Sequence, residues 1–379
     1  MKYFCPVRVL LCAIWLFSAL LPVQAVDPPT VPLTDAEFDA MDLAIARAMD
    51  WIVANGQRDG SIATLPDGQP GITSLCVLAM LAGGELPDEG PRGEKLAAAI
   101  DYVLGTQKPN GLLALVGPRG EIVPQAVSQQ IGRSAVYNHA ISGLMLAEAY
   151  AMTSEDQSQE IKQGVEQAIK FSLKLQNRPK DRPEDLGGWR YLNMVDDKDA
   201  DLSIIAWQLM FLRSAKNAGF DVPTESIDAA VGCVERHFNE QLQDFEYAIG
   251  DGYSSRAMTG AGILALAHAG RHESPAAKQA AKKLLKHSFL EYNGSPDGLD
   301  RYHYSLFHCT QAAHQLGGNT WEKFFPPIAR VLIKNQKPDG AWDAEISRHG
   351  DGRYGRAYTT ALAPLVLQSQ NELLPVFQR

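Results

Sequence analysis

Little in these 379 residues advertises a ready-made chemistry. Only 5 are cysteines. Cys5 and Cys12 sit near the start, and Cys76, Cys233 and Cys309 lie far apart inside apolar stretches. An odd number of widely spaced thiols argues against a disulfide framework and reads as buried, unreactive cysteines. No H-E-x-x-H, paired C-x-x-C, P-loop or G-x-S-x-G element occurs, so no cofactor is expected. Basic runs are missing too. The 35 Lys and Arg are outnumbered by 44 Asp and Glu, a net charge of −9 that suits neither nucleic acid nor an anionic membrane. Alternating strand patterns of any length are also absent.

A single apolar run stands out, from Val9 to Leu21, with Lys2 and Arg8 before it and Pro22-Val-Gln-Ala25 after it. Val23 and Ala25 fall at −3 and −1 of a cleavage point, and the run is short for a membrane span. The pattern is that of a signal peptide at 1–25, with an uncleaved anchor as the alternative. Cleavage leaves 354 residues and moves the charge to −11, because two cations and no acid are lost. The expected location is exported, periplasmic or secreted, with no membrane span left in the processed chain. With 45% hydrophobic residues, a chain of that length buries about three-quarters of its unfolded surface.

What the chain does have is repetition. Six times an amphipathic helical stretch leads into a Gly-rich turn and then a far more apolar helical stretch. The turn is plainest in Gln107-Lys-Pro-Asn-Gly-Leu, Gly187-Gly-Trp-Arg-Tyr and Gln336-Lys-Pro-Asp-Gly-Ala-Trp342. In 161–176, Ile161, Val165, Ala168, Ile169 and Leu173 share one face and Lys162, Glu166, Lys170 and Lys174 the other, so this is an outer helix. The stretches 94–104, 226–238, 276–291 and 321–335 read the same way. By contrast 73–82, 139–149, 202–212, 259–269 and 358–367 are apolar nearly all round and must be covered on every side. The pairs fall at 40–84, 94–151, 161–219, 226–270, 276–318 and 321–369. Six such pairs without polar capping repeats predict an all-α closed ring, an (α/α)6 toroid with six parallel inner helices inside six outer ones. The chain then divides into 1–25, an N-terminal extension at 26–39 and one toroid domain at 40–375.

Gln336 to Trp342 has the Gln-x3-Gly-x-Trp form of the repeat of squalene and oxidosqualene cyclases and of protein prenyltransferase β-subunits, and the chain resembles that family. Gln107–Leu113 is a copy with Leu in place of Trp, and the copy from Gln176 to Trp189 carries an insertion. Segments such as 138–150 also resemble exported bacterial members of this superfamily. The resemblance implies the toroid and a central cavity. Its cyclases place an Asp-x-Asp-Asp acid at the start of an inner helix. Asp199-Ala-Asp201-Leu202 occupies such a position with its last Asp replaced, making Asp199 and Asp201 the catalytic candidates of a terpene-cyclase-like enzyme. The competing reading is that Asp201 caps a helix. The prenyltransferases hold zinc, but His303 and His308 stand about 140° apart on a helix, and no Asp-x-Cys pair accompanies Cys309, so no metal is expected.

In a ring of this kind the inner helices all start at one mouth, where their N-termini favour an anion. Arg133, Lys198, Arg256, Arg301 and Arg356 lie at or just before those starts. They either line the mouth for phosphate, diphosphate or carboxylate, or pair with Asp196, Asp199, Asp201, Asp251, Asp300 and Asp351 nearby. Tyr137, His139, Tyr191, Tyr302, His303, Tyr304 and Tyr358 are candidate cavity residues, with core packing as the alternative; Trp189 and Trp342 read as structural. Three functions follow: a chamber for an apolar or anionic small molecule (an isoprenoid, a lipid or an anionic group), a non-catalytic binding or scaffold protein, or a glycan-active toroid. The last requires paired carboxylates, for which Asp201 with Glu246 or Asp251 is the available set.

Overall fold

A computed structural model describes residues 31–120, 128–193, 196–346, 348 and 350–378. The expected signal peptide lies outside the described residues. No described helix is long and apolar enough to cross a membrane. The outer helices are α1 (Asp35–Ala54), α3 (Gly90–Gly105), α5 (Glu155–Gln176), α7 (Thr224–Arg236), α9 (Pro275–Leu284) and α11 (Gly318–Asn335). The inner helices are α2 (Gly71–Ala82), α4 (Gln129–Ala149), α6 (Leu202–Asn217), α8 (Arg256–His268), α10 (Tyr302–Leu316) and α12 (Arg356–Leu367). Each inner helix packs on the next, and α12 returns to α2, so the ring is closed.

Patterning explains the two layers. On α5, Lys162, Glu166, Lys170 and Lys174 are exposed while Ile161, Val165, Ala168 and Ile169 are buried. Every residue of α2 is buried. Three boundaries differ from expectation. Helix α1 begins inside the predicted N-terminal extension, because Thr34 and Glu37 form a capping box. Helix α4 starts ten residues before its apolar stretch, capped by Ser128. Helix α9 stops at Leu284, short of the predicted 291, and the chain continues as a loop. The strands among the described residues form one hairpin between α7 and α8, β1 (Phe238–Asn239) with β2 (Asp244–Phe245), paired Phe238 to Phe245; isolated bridges join Gly56 to Ile62 and Gln107 to Leu113.

The Gly-rich turns are the joints of the ring. Gly111, Gly187 and Gly340 have φ of 90°, 84° and 94°, and a Cβ there would lie 2.2–2.3 Å from a backbone carbonyl of the neighbouring outer helix: Gln167 in α5, Ala229 in α7 and Arg47 in α1. Each turn's glutamine clips the same two partners together. Gln107 Nε2 donates to the carbonyls of Gly111 and Gly164, Gln176 Nε2 to Gly187 and Ser226, and Gln336 Nε2 to Gly340 and Ala44. Gly60, with φ 87° and its Cβ position 2.1 Å from the Ala98 carbonyl, is a fourth copy in a shortened Gln57-Arg-Asp-Gly60 turn that the sequence pattern passes over. The Gln336 and Gly340 contacts join the last turn to the first helix and close the circle. Gly340→Ala, strained in φ and clashing with Arg47, should lower stability by about 2–3 kcal/mol. Gly232→Ala on α7, where a Cβ meets only a flexible arginine, should raise stability by about 0.5–1 kcal/mol; denaturant titration distinguishes the two signs.

Candidate functional site

The loops that lead into the inner helices gather at one end of the ring, over a cavity of about 530 Å³. Its walls come from the first turns of α2, α4, α6, α8, α10 and α12 and from the preceding loops. Spacing along α4 orders the lining by depth: Arg133, Tyr137 and Ile141 lie four residues apart, about 6 Å per step along one face. Opposite them, Ser203 is followed by Trp207 on α6, and Ile72, Leu75 and Met258 add apolar lining. Trp207 stacks on Phe307, the rings 4° from parallel and 5.4 Å apart. At the far end of the ring, residues Pro375–Phe377 pack under α6, and Phe377 meets Phe307 edge-on at 6.1 Å.

The middle of the wall is a belt of tyrosines. Tyr137, Tyr191, Tyr247, Tyr253, Tyr304, Tyr354 and Tyr358 all line the cavity. Behind them lies Asp201, fully buried at the start of α6. Its Oδ1 accepts from the Ser203 N–H at 2.9 Å, the Ile204 N–H at 3.3 Å and the Ser203 hydroxyl at 2.6 Å. The Tyr137 hydroxyl lies 2.5 Å from Ser203 Oγ, and Tyr191 and Tyr247 share a second 2.5 Å contact beside the same carboxylate. Burial first, and then the Asp201 charge, pushes the phenols of Tyr137, Tyr191 and Tyr247 upward, so they stay protonated.

Of the eleven residues predicted to bind ligand, Arg133, Tyr137, Tyr191, Arg301, Tyr304 and Tyr358 line the cavity. The other five point elsewhere. His139 sits between α4 and α5, held by Ser172 Oγ at 2.9 Å and the Leu113 N–H at 3.2 Å; burial drops its pKa to about 3. Arg256 is buried against Asp300 and over the Phe289 ring at 4.2 Å. Tyr302 donates to the Phe289 carbonyl at 2.8 Å. His303 is buried 3.4 Å from Glu345, whose carboxylate caps α10 through the N–H groups of Tyr302 and His303. Arg356 forks onto Asp339 at 2.7 and 2.8 Å and lies over Trp51.

Of the two readings of the mouth's cations, pairing in place describes Arg256, Arg301 and Arg356. Arg301 pairs with Asp351, Arg256 with Asp300 and Arg190 with Asp196, and Lys198 is not in the lining. Arg133 is exposed and lies 5.4 Å over the Tyr191 ring; it has no carboxylate partner among the described residues. The two acid candidates part company. Asp199 is buried away from the cavity in ion pairs with Arg178 and Lys180, while Asp201 caps α6 and underpins the tyrosine belt. His303 and His308 face different neighbours, Glu345 and Trp207 respectively. Cys76, Cys233 and Cys309 are free and buried.

Sequence reasoning missed Ser203 and Trp207, although both lie on α6 immediately after Asp201. It also missed Arg190, Tyr247, Tyr253 and Tyr354, which come from loops with no periodicity to read.

No protein-family model matches the chain, and no curated protein sequence does. Solved structures of similar fold do exist. A glycoside hydrolase family 76 mannosidase of Bacteroides thetaiotaomicron is 12% identical, covers 88% of this chain and 99% of its own, and superposes with a TM-score of 0.61. An inactive variant of a Salegentibacter α-1,6-mannanase, bound to α-1,6-mannotriose, is 8% identical over 86% and 98%, with a TM-score of 0.58. A type II terpene cyclase variant of Scytonema, bound to geranylgeranyl dihydroxybenzoate, is 14% identical over 90% and 100%, with a TM-score of 0.54. At these identities the likeness establishes an (α/α)6 toroid, a fold that hosts both chemistries.

Proposed function

We propose that this toroid is an exported chamber for a small molecule of isoprenoid kind, with an apolar body on the floor and a polar head among the tyrosines. The gradient of polarity down the cavity carries the reading. Arg133 stands at the rim and the phenols of Tyr137 and Tyr191 below it. The floor is Leu75, Ile141 and Trp207, which lie further along their helices. A methylated hydrocarbon chain gains about 25 cal/mol for each Å² it buries on such a floor. A sugar carries hydroxyls all round and would leave those at the floor without partners. The role is binding: Asp201 lies buried behind the tyrosines, reaches the cavity through Ser203 and Tyr137, and serves as helix cap and anchor of the belt.

Glycan binding is the second reading, favoured by the Trp207 and tyrosine faces beside Asn138 and Gln130. Hydrolysis would require two carboxyl groups free in the cleft. Asp196, Asp300 and Asp351 line the cavity but are each tied to an arginine. Titration calorimetry with farnesol and with α-1,6-mannotriose separates the two. The expected outcome is micromolar farnesol binding and no heat from mannotriose. Ile141→Glu, which puts a charge on the floor, should weaken farnesol by more than tenfold, and Arg133→Ala by only a few-fold. Binding of mannotriose without farnesol would reverse the assignment.

A further inference from the structure

The hydrogen bonds around Asp201 have a fixed direction. Its Oδ1 already accepts from two backbone N–H groups, which can only donate. The Ser203 hydroxyl, 2.6 Å from the same oxygen, must therefore donate to it. That spends the single proton of Ser203. The Tyr137 hydroxyl, 2.5 Å from Ser203 Oγ, can then only donate to the serine. Its own proton is spent in turn, and the Tyr137 oxygen turns lone pairs alone towards the cavity it lines.

Resting on the chamber reading above, we propose that the Asp201–Ser203–Tyr137 chain makes Tyr137 an obligate acceptor, so that the ligand's head is an O–H donor: an isoprenoid alcohol, not its ether or its ionised phosphate. An ether oxygen or a phosphate oxygen in that place would oppose its lone pairs to those of the phenol. Arg133 does not remove this selection. It lies four residues outward on α4 and is exposed, so its attraction for an anion is screened by water. Tyr137 is half-buried, where the lost hydrogen bond is felt.

Farnesol and farnesyl methyl ether, titrated against the full chain by calorimetry, test the proposal, since the pair differs only in the donor. Wild type should bind the alcohol about five- to tenfold more tightly. In Ser203→Ala the backbone N–H groups still hold Asp201, but Tyr137 regains a free proton that it can offer to the ether. The preference should then fall to about one. Tyr137→Phe should abolish it as well by deleting the oxygen, and it serves if Ser203→Ala folds poorly. Equal binding of the two ligands by wild type, or a preference that survives both substitutions, overturns the proposal alone. Binding of neither ligand removes the chamber reading and this inference with it.

Discussion

Trp342→Ala should destabilise the protein by about 3–5 kcal/mol, the usual range for emptying a fully buried aromatic site. Trp342 is completely buried in the turn between α11 and α12. Its indole N–H donates to the Leu332 carbonyl at 2.9 Å, and its backbone N–H to Thr360 Oγ1 at 3.2 Å. Truncation removes the ring, leaves a carbonyl without its donor and loosens the turn whose Gly340 and Gln336 grip α1. Trp189 does the same work in the third repeat, donating to the Ser172 carbonyl at 2.8 Å. The second repeat carries Leu113 in the equivalent slot, with its N–H on His139. The fold therefore tolerates leucine there, and Trp342→Leu should lose only about half as much as Trp342→Ala. Guanidinium unfolding of the two variants checks both numbers, and a loss below about 1 kcal/mol for Trp342→Ala would remove the turn from the parts that hold the ring together.

The second large effect is a dependence on pH seated at the closed end of the toroid. Glu148, in the last turn of α4, is 4% exposed and accepts from the Ser214 hydroxyl at 2.5 Å. Burial raises its pKa from the ordinary 4.5 to about 7, although Ser214 and the backbone at Val376 pull the other way. The folded chain thus holds this proton more tightly than the unfolded chain. That stabilisation is fully present below pH 4.5 and is lost as pH rises through 7, where the buried group must ionise. The change is about 3 kcal/mol. Glu148→Gln, nearly the same shape without the charge, should differ little from wild type at pH 5. At pH 8 it should be about 3 kcal/mol more stable. Denaturant titrations of both proteins at the two pH values isolate the term, because every other titrating group is common to them. The same slope in both proteins would show that the carboxyl is not its source.

The layered ring was legible because period and burial are linked locally. Lys162, Glu166, Lys170 and Lys174 alternate with an apolar face only if one side of the helix meets water. The all-apolar stretch after Asp201 is stable only under cover on every side. The Asp201 cap, too, follows from a side chain reaching its own next turn. The site was harder to read, because its assignments depend on which way side chains at the helix starts turn. Arg256 is the first residue of α8 and Arg301 the residue just before α10, one position apart on successive inner helices. Yet Arg256 turns outward over Phe289 and Arg301 inward to Asp351 in the cavity wall.

Taken alone, the amino-acid order determined the helical periods, the repeating glutamine and glycine turns and the number of pairs, since each is set within a few turns of chain. Tertiary structure alone decided that Arg47 would meet Gly340 and close the circle. It also decided that Asp300 and Asp351 would cancel their arginines, and that Tyr137 and Ser203 would be brought within 2.5 Å across 66 positions. Those contacts arise from packing faces whose angles no local pattern encodes, and the chemistry of the cavity is made of them.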